Sequence, residues 1–159
     1  MILGRIEESI VIKAPHENVW EMLAVNRLPE WSEGFGERIE YTSDVNTPKD
    51  KYRIGATAQG IPKKQENNYC RFEIIESQEI KKIKYYAWEK PKYLGILSMF
   101  ITYSLEPAGT DTQLTYELES EKYGIFGVFG KFLEKLYLRR MVKKQIKKAL
   151  ENLKSILEK

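Results

Sequence analysis

One cysteine and one histidine are all that the 159-residue chain offers of the two side chains that most often build metal and nucleophile sites. Cys70 alone can neither close an internal disulfide nor anchor a thiolate metal site, so stability must come from the core. His16 follows Pro15 in the first turn of an expected helix, with no second histidine at ligand spacing and no carboxylate spaced to make a triad. No CxxC pair, acidic calcium loop or GxGxxG or GxxxxGK[ST] phosphate loop occurs either, so no metal and no cofactor are expected. Long apolar runs are missing as well, and none approaches the roughly 20 residues that a membrane-spanning helix needs. The first residues, Met1-Ile-Leu-Gly-Arg-Ile-Glu-Glu, lack a basic region followed by an apolar stretch, which makes the cytoplasmic compartment the expected one. Repeats and low-complexity linkers are absent. What is left is 42% hydrophobic and 31% charged, the balance of one compact domain over residues 1–159.

Along the chain, Ile6 to Lys13 alternates as a strand that Ala14-Pro15 stops. Pro15 suits a first helical position and Glu17 a first turn, so a helix is expected from about Pro15 to Ala24 with Val19, Trp20, Met22 and Leu23 on one side. Leu28-Pro29-Glu30-Trp31 opens a second short one. Six further strand-like runs follow, at Glu37 to Asp44, Lys51 to Gly60, Asn68 to Gln78, Lys81 to Lys90, Leu94 to Pro107 and Thr112 to Glu121. Asn46 to Asp50 reads as a polar loop. Pro107-Ala108-Gly109-Thr110-Asp111 is turn chemistry, so the last two runs form a hairpin. Runs this close, with no helix between them, are antiparallel neighbours.

Phe126 to Leu157 reads as one long helix. At 100° per residue, Ile125, Phe129, Phe132, Leu133 and Leu136 form one stripe, and Val142, Ile146, Ala149, Leu150, Leu153 and Leu157 a second one rotated away from it. Either the first stripe borders a loop region or cavity while the sheet covers the second, or both are core and the helix bends near Leu138 to Met141. Charge is concentrated here too. From Lys131 to Lys159 ten Lys/Arg face three acids, a local +7 that leaves −4 for residues 1–130 of a chain whose net charge is +3. Arg139, Arg140, Lys143, Lys144, Lys147 and Lys148 are either a solvated face or a contact for an anionic membrane surface beside the apolar Gly124-Ile-Phe-Gly-Val-Phe-Gly130. Nucleic acid is not expected, because the aromatics belong to the other stripe.

The opening Ile10-Val-Ile-Lys-Ala-Pro-His-Glu-Asn-Val-Trp-Glu-Met-Leu23, followed by Leu28-Pro-Glu-Trp31, resembles the N-terminal signature of the SRPBCC superfamily, which includes START domains. Tyr103-Ser-Leu-Glu-Pro107, Gly109-Thr110, the strand Gln113-Leu-Thr-Tyr-Glu117 and a basic helix closing Ala149-Leu-Glu-Asn-Leu-Lys154 resemble its polyketide cyclase/dehydrase and lipid transport branch. The resemblance implies an α+β helix-grip fold. In it a seven-stranded antiparallel sheet wraps a long C-terminal helix, two short helices lie between strands 1 and 2, and a hydrophobic pocket separates sheet from helix. It implies no fixed catalytic set.

The residues point the same way. Alternation groups Tyr85 with Ile83 and Ala87, Met99 with Leu97, Ile101, Tyr103 and Leu105, and Tyr116 with Leu114 and Leu118, each on one strand face. Buried phenols among aliphatic residues suit a cavity for an amphipathic molecule held by a few polar anchors; otherwise their hydroxyls reach solvent or bond one another. Met99 and Met141 either line that cavity or fill gaps, and Cys70 reads as a small buried hydrophobe. Gly34 and Gly36, flanking Phe35, form a portal loop or a simple turn. The candidate ligand-binding residues are Trp31, Phe35, Tyr41, Phe72, Tyr85, Met99, Tyr103, Tyr116, Phe129 and Leu133. The strands carrying Tyr41 and Phe72 are compatible with either parity. The expected function is transport, storage or presentation of a hydrophobic or amphipathic small molecule such as a lipid or polyketide-like compound. The rivals are a cyclase or dehydratase using a pocket tyrosine or acid as general acid, and a co-chaperone-like interaction module. No base paired with an orienting group is legible, so the chain leans away from an enzyme.

Overall fold

The computed structural model describes residues 5–33, 35, 37–61, 69–90, 97–122 and 127–159, with side chains described at all of these except 69, 89, 90, 97, 120–122 and 127–138. Among the described residues, seven strands form one antiparallel sheet in the spatial order β1-β7-β6-β5-β4-β3-β2. They are β1 (Arg5–Ile12), β2 (Arg38–Tyr41), β3 (Thr57–Ile61), β4 (Tyr69–Gln78), β5 (Lys82–Lys90), β6 (Leu97–Ala108) and β7 (Asp111–Lys122). Helix α1 (His16–Met22) and a 3-10 helix (Val25–Glu30) lie between β1 and β2, a second 3-10 helix (Pro48–Tyr52) lies between β2 and β3, and α2 (Gly127–Leu157) closes the chain. This is the expected α+β architecture, with consecutive strands paired except where β1 returns to β7.

Local chemistry explains the elements. β1 keeps Ile6 and Ile12 fully buried and turns Arg5, Glu7 and Ser9 outward, the period-2 pattern of a strand with one dry face. Pro15 caps α1, and Pro29 sits inside the first 3-10 helix, where tight i to i+3 bonding tolerates it. The segment expected as a strand from Lys51 begins differently. Thr47 and Asp50 form a capping box, Pro48 occupies the first turn, and the chain runs as a 3-10 helix before Gly55, at φ +91°, turns it into β3. The loop expected at Asn46 to Asp50 is thus half helix, because Asp50 accepts the amides of Asn46 and Thr47. β4 carries a bulge between Ile74 and Glu76, which leaves Ile75 exposed.

The core lies between the inner sheet face and the helices. From α2, Ile146, Ala149, Leu150 and Leu153 are buried at i, i+3, i+4 and i+7, the stripe expected of the second half of that helix. Polar ties fix its register: Lys154 Nζ donates to the Val11 carbonyl at 2.8 Å, the Lys13 amide to Glu158 at 2.8 Å, and Asn152 to the Trp31 carbonyl at 3.3 Å.

Candidate functional site

The inner face of the sheet bears a continuous run of aromatic rings. Phe35 meets Phe72 edge-on at 5.4 Å between centroids, Phe72 meets Tyr85 at 6.4 Å, Tyr85 meets Tyr103 at 6.3 Å, and Tyr103 meets Tyr116 at 4.8 Å. Trp31 joins from the helical layer, 5.6 Å from Tyr103. Every contact is T-shaped, the geometry in which a ring's positive edge faces its neighbour's negative face. The strand register makes the run possible. Tyr103 lies opposite Tyr116, while Tyr85 and Phe72 are diagonal neighbours on β5 and β4, so one inward residue from each of four adjacent strands contributes a ring.

Each end of the run is held by backbone. The Trp31 indole donates to the Met22 carbonyl at 2.9 Å, satisfying a helix-end acceptor with a buried donor. Tyr85 donates to the Leu23 carbonyl at 2.6 Å, which ties the middle of the sheet to the same turn. Phe35 can lie over β3 because Gly60 has no side chain: a Cβ there would come within 2.6 Å of the Phe35 carbonyl oxygen.

Tyr103 differs from its neighbours. It is fully buried, and its hydroxyl meets no hydrogen-bond partner among the described residues. Burial first, and then the adjacent Tyr116 phenol, hold Tyr103 well above the ordinary phenol range. Tyr85 is likewise held high by burial, with smaller contributions from Tyr41 and Tyr52. Both therefore keep their protons at any ordinary pH; Tyr85 donates its own to the Leu23 carbonyl, whereas Tyr103 has the Tyr116 phenol as its polar neighbour.

Of the ten candidate residues, Trp31, Phe35, Phe72, Tyr85, Tyr103 and Tyr116 come together in this run. Phe72 faces inward with Cys70 and Ile74, which settles its parity. Tyr41 shares the inward parity of Ile39 but packs at the margin, donating to the Lys51 carbonyl at 3.1 Å, its pKa raised chiefly by burial. Met99, half-buried opposite Ala87, flanks the run. The side chains of Phe129 and Leu133, and all of Gly34 and Gly36, lie outside the described residues. Among the described residues, no three His, Cys, Asp or Glu side chains gather to hold a metal ion. Sequence reasoning missed a concavity around Trp20, Tyr52, Ile54 and Ile80. Gly55 is a turn signal, but nothing local ties position 20 to 52 or 80.

An antiparallel sheet closed over a long C-terminal helix, with aromatic side chains on the face between them, defines a helix-grip domain. The chain belongs to the polyketide cyclase / dehydrase and lipid transport family, whose sequence profile matches residues 4–158. In three dimensions it is similar to protein MLL2253 from Mesorhizobium loti, with a TM-score of 0.70 at 16% identity over 97% of this chain and 96% of that one. A protein from Rhizobium leguminosarum gives 0.67 at 17% over 98% and 94%, and CV1439 from Chromobacterium violaceum 0.65 at 17% over 98% and 99%. At such identities the likeness speaks for the fold alone. No curated protein matches the chain in sequence. No helix among the described residues is long and apolar enough to cross a membrane.

Proposed function

We propose that the protein binds a hydrophobic or amphipathic small molecule between sheet and helix and transports, stores or presents it, in the cytoplasm. The ring run is then one wall of the cavity, and the part of α2 bearing Phe129 and Leu133 is the other. The observation that carries this reading is the buried Tyr103 hydroxyl, which makes no hydrogen bond of good geometry among the described residues and has the Tyr116 phenol as its polar neighbour. A buried donor without a partner costs about 1–3 kcal/mol, and a phenylalanine would fill the same space without that cost. A ligand carbonyl, ether or carboxylate restores the missing bond, and the surrounding rings remove the ligand's apolar surface from water at about 25 cal/mol per Å2.

Native mass spectrometry of freshly purified protein, followed by denaturation and analysis of what is released, tests this directly. A stoichiometric small molecule is expected, with its occupancy reduced in Tyr103→Phe. A persistent apo mass together with no thermal shift across a lipid and polyphenol panel would sink the reading and favour an interaction module. A cyclase or dehydratase would use the same protonated hydroxyl as general acid. If changing Tyr85, Tyr103 and Tyr116 together to Phe leaves turnover of a found substrate intact, tyrosine acid catalysis is excluded.

Delivery at an anionic membrane surface is the accompanying proposal. Lys143 and Lys148 of α2 pair with Glu8 and Glu33, at 3.5 and 3.1 Å, whereas the exposed Arg140, Lys144 and Lys147 form no ion pair among the described residues. Vesicles containing phosphatidylserine should retain the protein at low salt and release it at high salt; equal retention on pure phosphatidylcholine vesicles would refute the electrostatic contact.

A further inference from the structure

Beside α1, at the β4–β5 turn, lies an open cleft of about 760 Å3 to which none of the inner rings contributes. That volume is within the range of small-molecule sites, about 300–1,000 Å3. Four elements make its walls: α1, the 3-10 helix Val25–Glu30, which brings Arg27, the 3-10 helix Pro48–Tyr52 with the turn after it, and the β4–β5 turn, which brings Glu79.

Three features of the lining bear on what it can bind. Ile54 is 60% exposed at the tip of a turn completed by Gly55 at φ +91°. Ile80 adopts φ +58°, a left-handed conformation that is strained for a β-branched residue and that glycine or asparagine would hold without penalty. Glu17 and Glu21, one turn apart on α1, repel each other, and neither forms an ion pair among the described residues. The 3-10 helix Pro48–Tyr52 has the opposite sign, with Lys49 and Lys51 likewise free of ion pairs among the described residues, while the lining's Arg27 and Arg53 pair with Glu30 and Asp50. Between the walls Tyr52 stacks on Trp20 at 4.9 Å and 21°, with its hydroxyl directed at the Trp20 and Glu21 carbonyls at 3.4 and 3.5 Å. The floor is thus rigid and its aromatic hydroxyl already occupied.

An acidic wall, a basic wall and an apolar strip between them match a molecule carrying both charges on an apolar body. We propose that this cleft is a second ligand site, separate from the inner cavity, which takes a small zwitterionic amphiphile. Its cationic group sits at Glu17 and Glu21, its anionic group at Lys49 and Lys51, and its apolar body against Ile54 and Ile80. A ligand of single charge satisfies one wall and is repelled by the other.

The test is a nuclear magnetic resonance titration of the full chain with decylphosphocholine, decyltrimethylammonium and decyl sulfate, each below its micelle concentration. The methyl groups of Ile54 and Ile80 and the Trp20 indole report on the cleft, and Tyr85 and Tyr103 on the interior. Decylphosphocholine should shift the cleft signals and bind about fivefold or more tighter than either singly charged chain. Ile54→Asp, at an exposed position that folding tolerates, should abolish those shifts. Lys49→Glu with Lys51→Glu should weaken decylphosphocholine and strengthen decyltrimethylammonium. Shifts confined to Tyr85 and Tyr103, equal affinity for the three amphiphiles, or a preference that survives the double charge reversal would each overturn the proposal.

Discussion

The protein uses a tryptophan–tyrosine pair twice, in two regions, to opposite effect. Inside, Trp31 meets Tyr103 edge-on with both residues fully buried, and the pair is one link in a chain of rings spanning four strands. At the cleft, Trp20 and Tyr52 stack in parallel, with Tyr52 half exposed and its hydroxyl shared between two carbonyls of α1. Among the described residues, the interior pair leaves the Tyr103 hydroxyl without a well-formed hydrogen bond and the rim pair leaves none. Packing alone therefore does not explain the interior arrangement. A surface phenol can always turn to water, whereas a sealed one depends on what the interior holds.

The largest effect expected from breaking this contrast is Trp31→Ala. It removes a buried indole and orphans the Met22 carbonyl, and should cost about 3–5 kcal/mol in denaturant unfolding. Tyr52→Ala, at a half-exposed site, should cost less than half as much.

Gly60→Ala comes next. The added methyl meets the Phe35 carbonyl at 2.6 Å, so either the Phe35 segment or β3 must move, at about 1–3 kcal/mol, with altered aromatic shifts at Phe35 and Phe72.

A paired measurement on the phenols sharpens the comparison further. Tyr85→Phe leaves the buried Leu23 carbonyl short of a donor and should destabilise by about 1–2 kcal/mol, whereas Tyr103→Phe should be neutral or stabilising by up to about 1 kcal/mol in the ligand-free protein. Equal losses for the two would remove the argument that Tyr103 waits for a ligand.

Alkaline titration separates the two regions. Tyr52 is pushed up to about 12, by burial first and then by the charge of Glu21, with Arg27 opposing. The unfolded chain releases this proton near pH 10, about two units earlier, so the stability that Tyr52 contributes is whole below pH 10 and is lost as pH rises toward 12. Phenolate absorbance should show one step near pH 12 that Tyr52→Phe abolishes, while Tyr85 and Tyr103 stay protonated until the chain unfolds.

The smallest effect expected is Lys148→Ala, which breaks an exposed pair with Glu33 and should change stability by less than about 1 kcal/mol.

Much of this was legible in the residues themselves. The inward sets built on Tyr85, Tyr103 and Tyr116 follow from strand alternation, and the second stripe of α2 follows from helical period, because both are properties of a single element. Tyr41 and Phe72 were ambiguous, since short runs flanked by loops carry too few alternations to settle parity. The 3-10 helix at Pro48–Tyr52 escaped because its capping box lies in a polar stretch with no apolar period. The cleft escaped for a different reason: its walls come from residues 17–27, 48–54 and 77–80, and no pattern within one element records what another brings beside it.

The sequence by itself determined the strands, the long helix, their dry faces and the helix-grip family, because hydrophobic period and turn chemistry act over a few residues at a time. Only the tertiary structure decided that six rings touch, that Tyr85 reaches the Leu23 carbonyl while Tyr103 makes no well-formed hydrogen bond among the described residues, and that residues of α1, the 3-10 helix Pro48–Tyr52 and the β4–β5 turn line one cleft. Those outcomes depend on register and on contacts between segments distant in the chain, where a shift of one residue would send every ring to the opposite face.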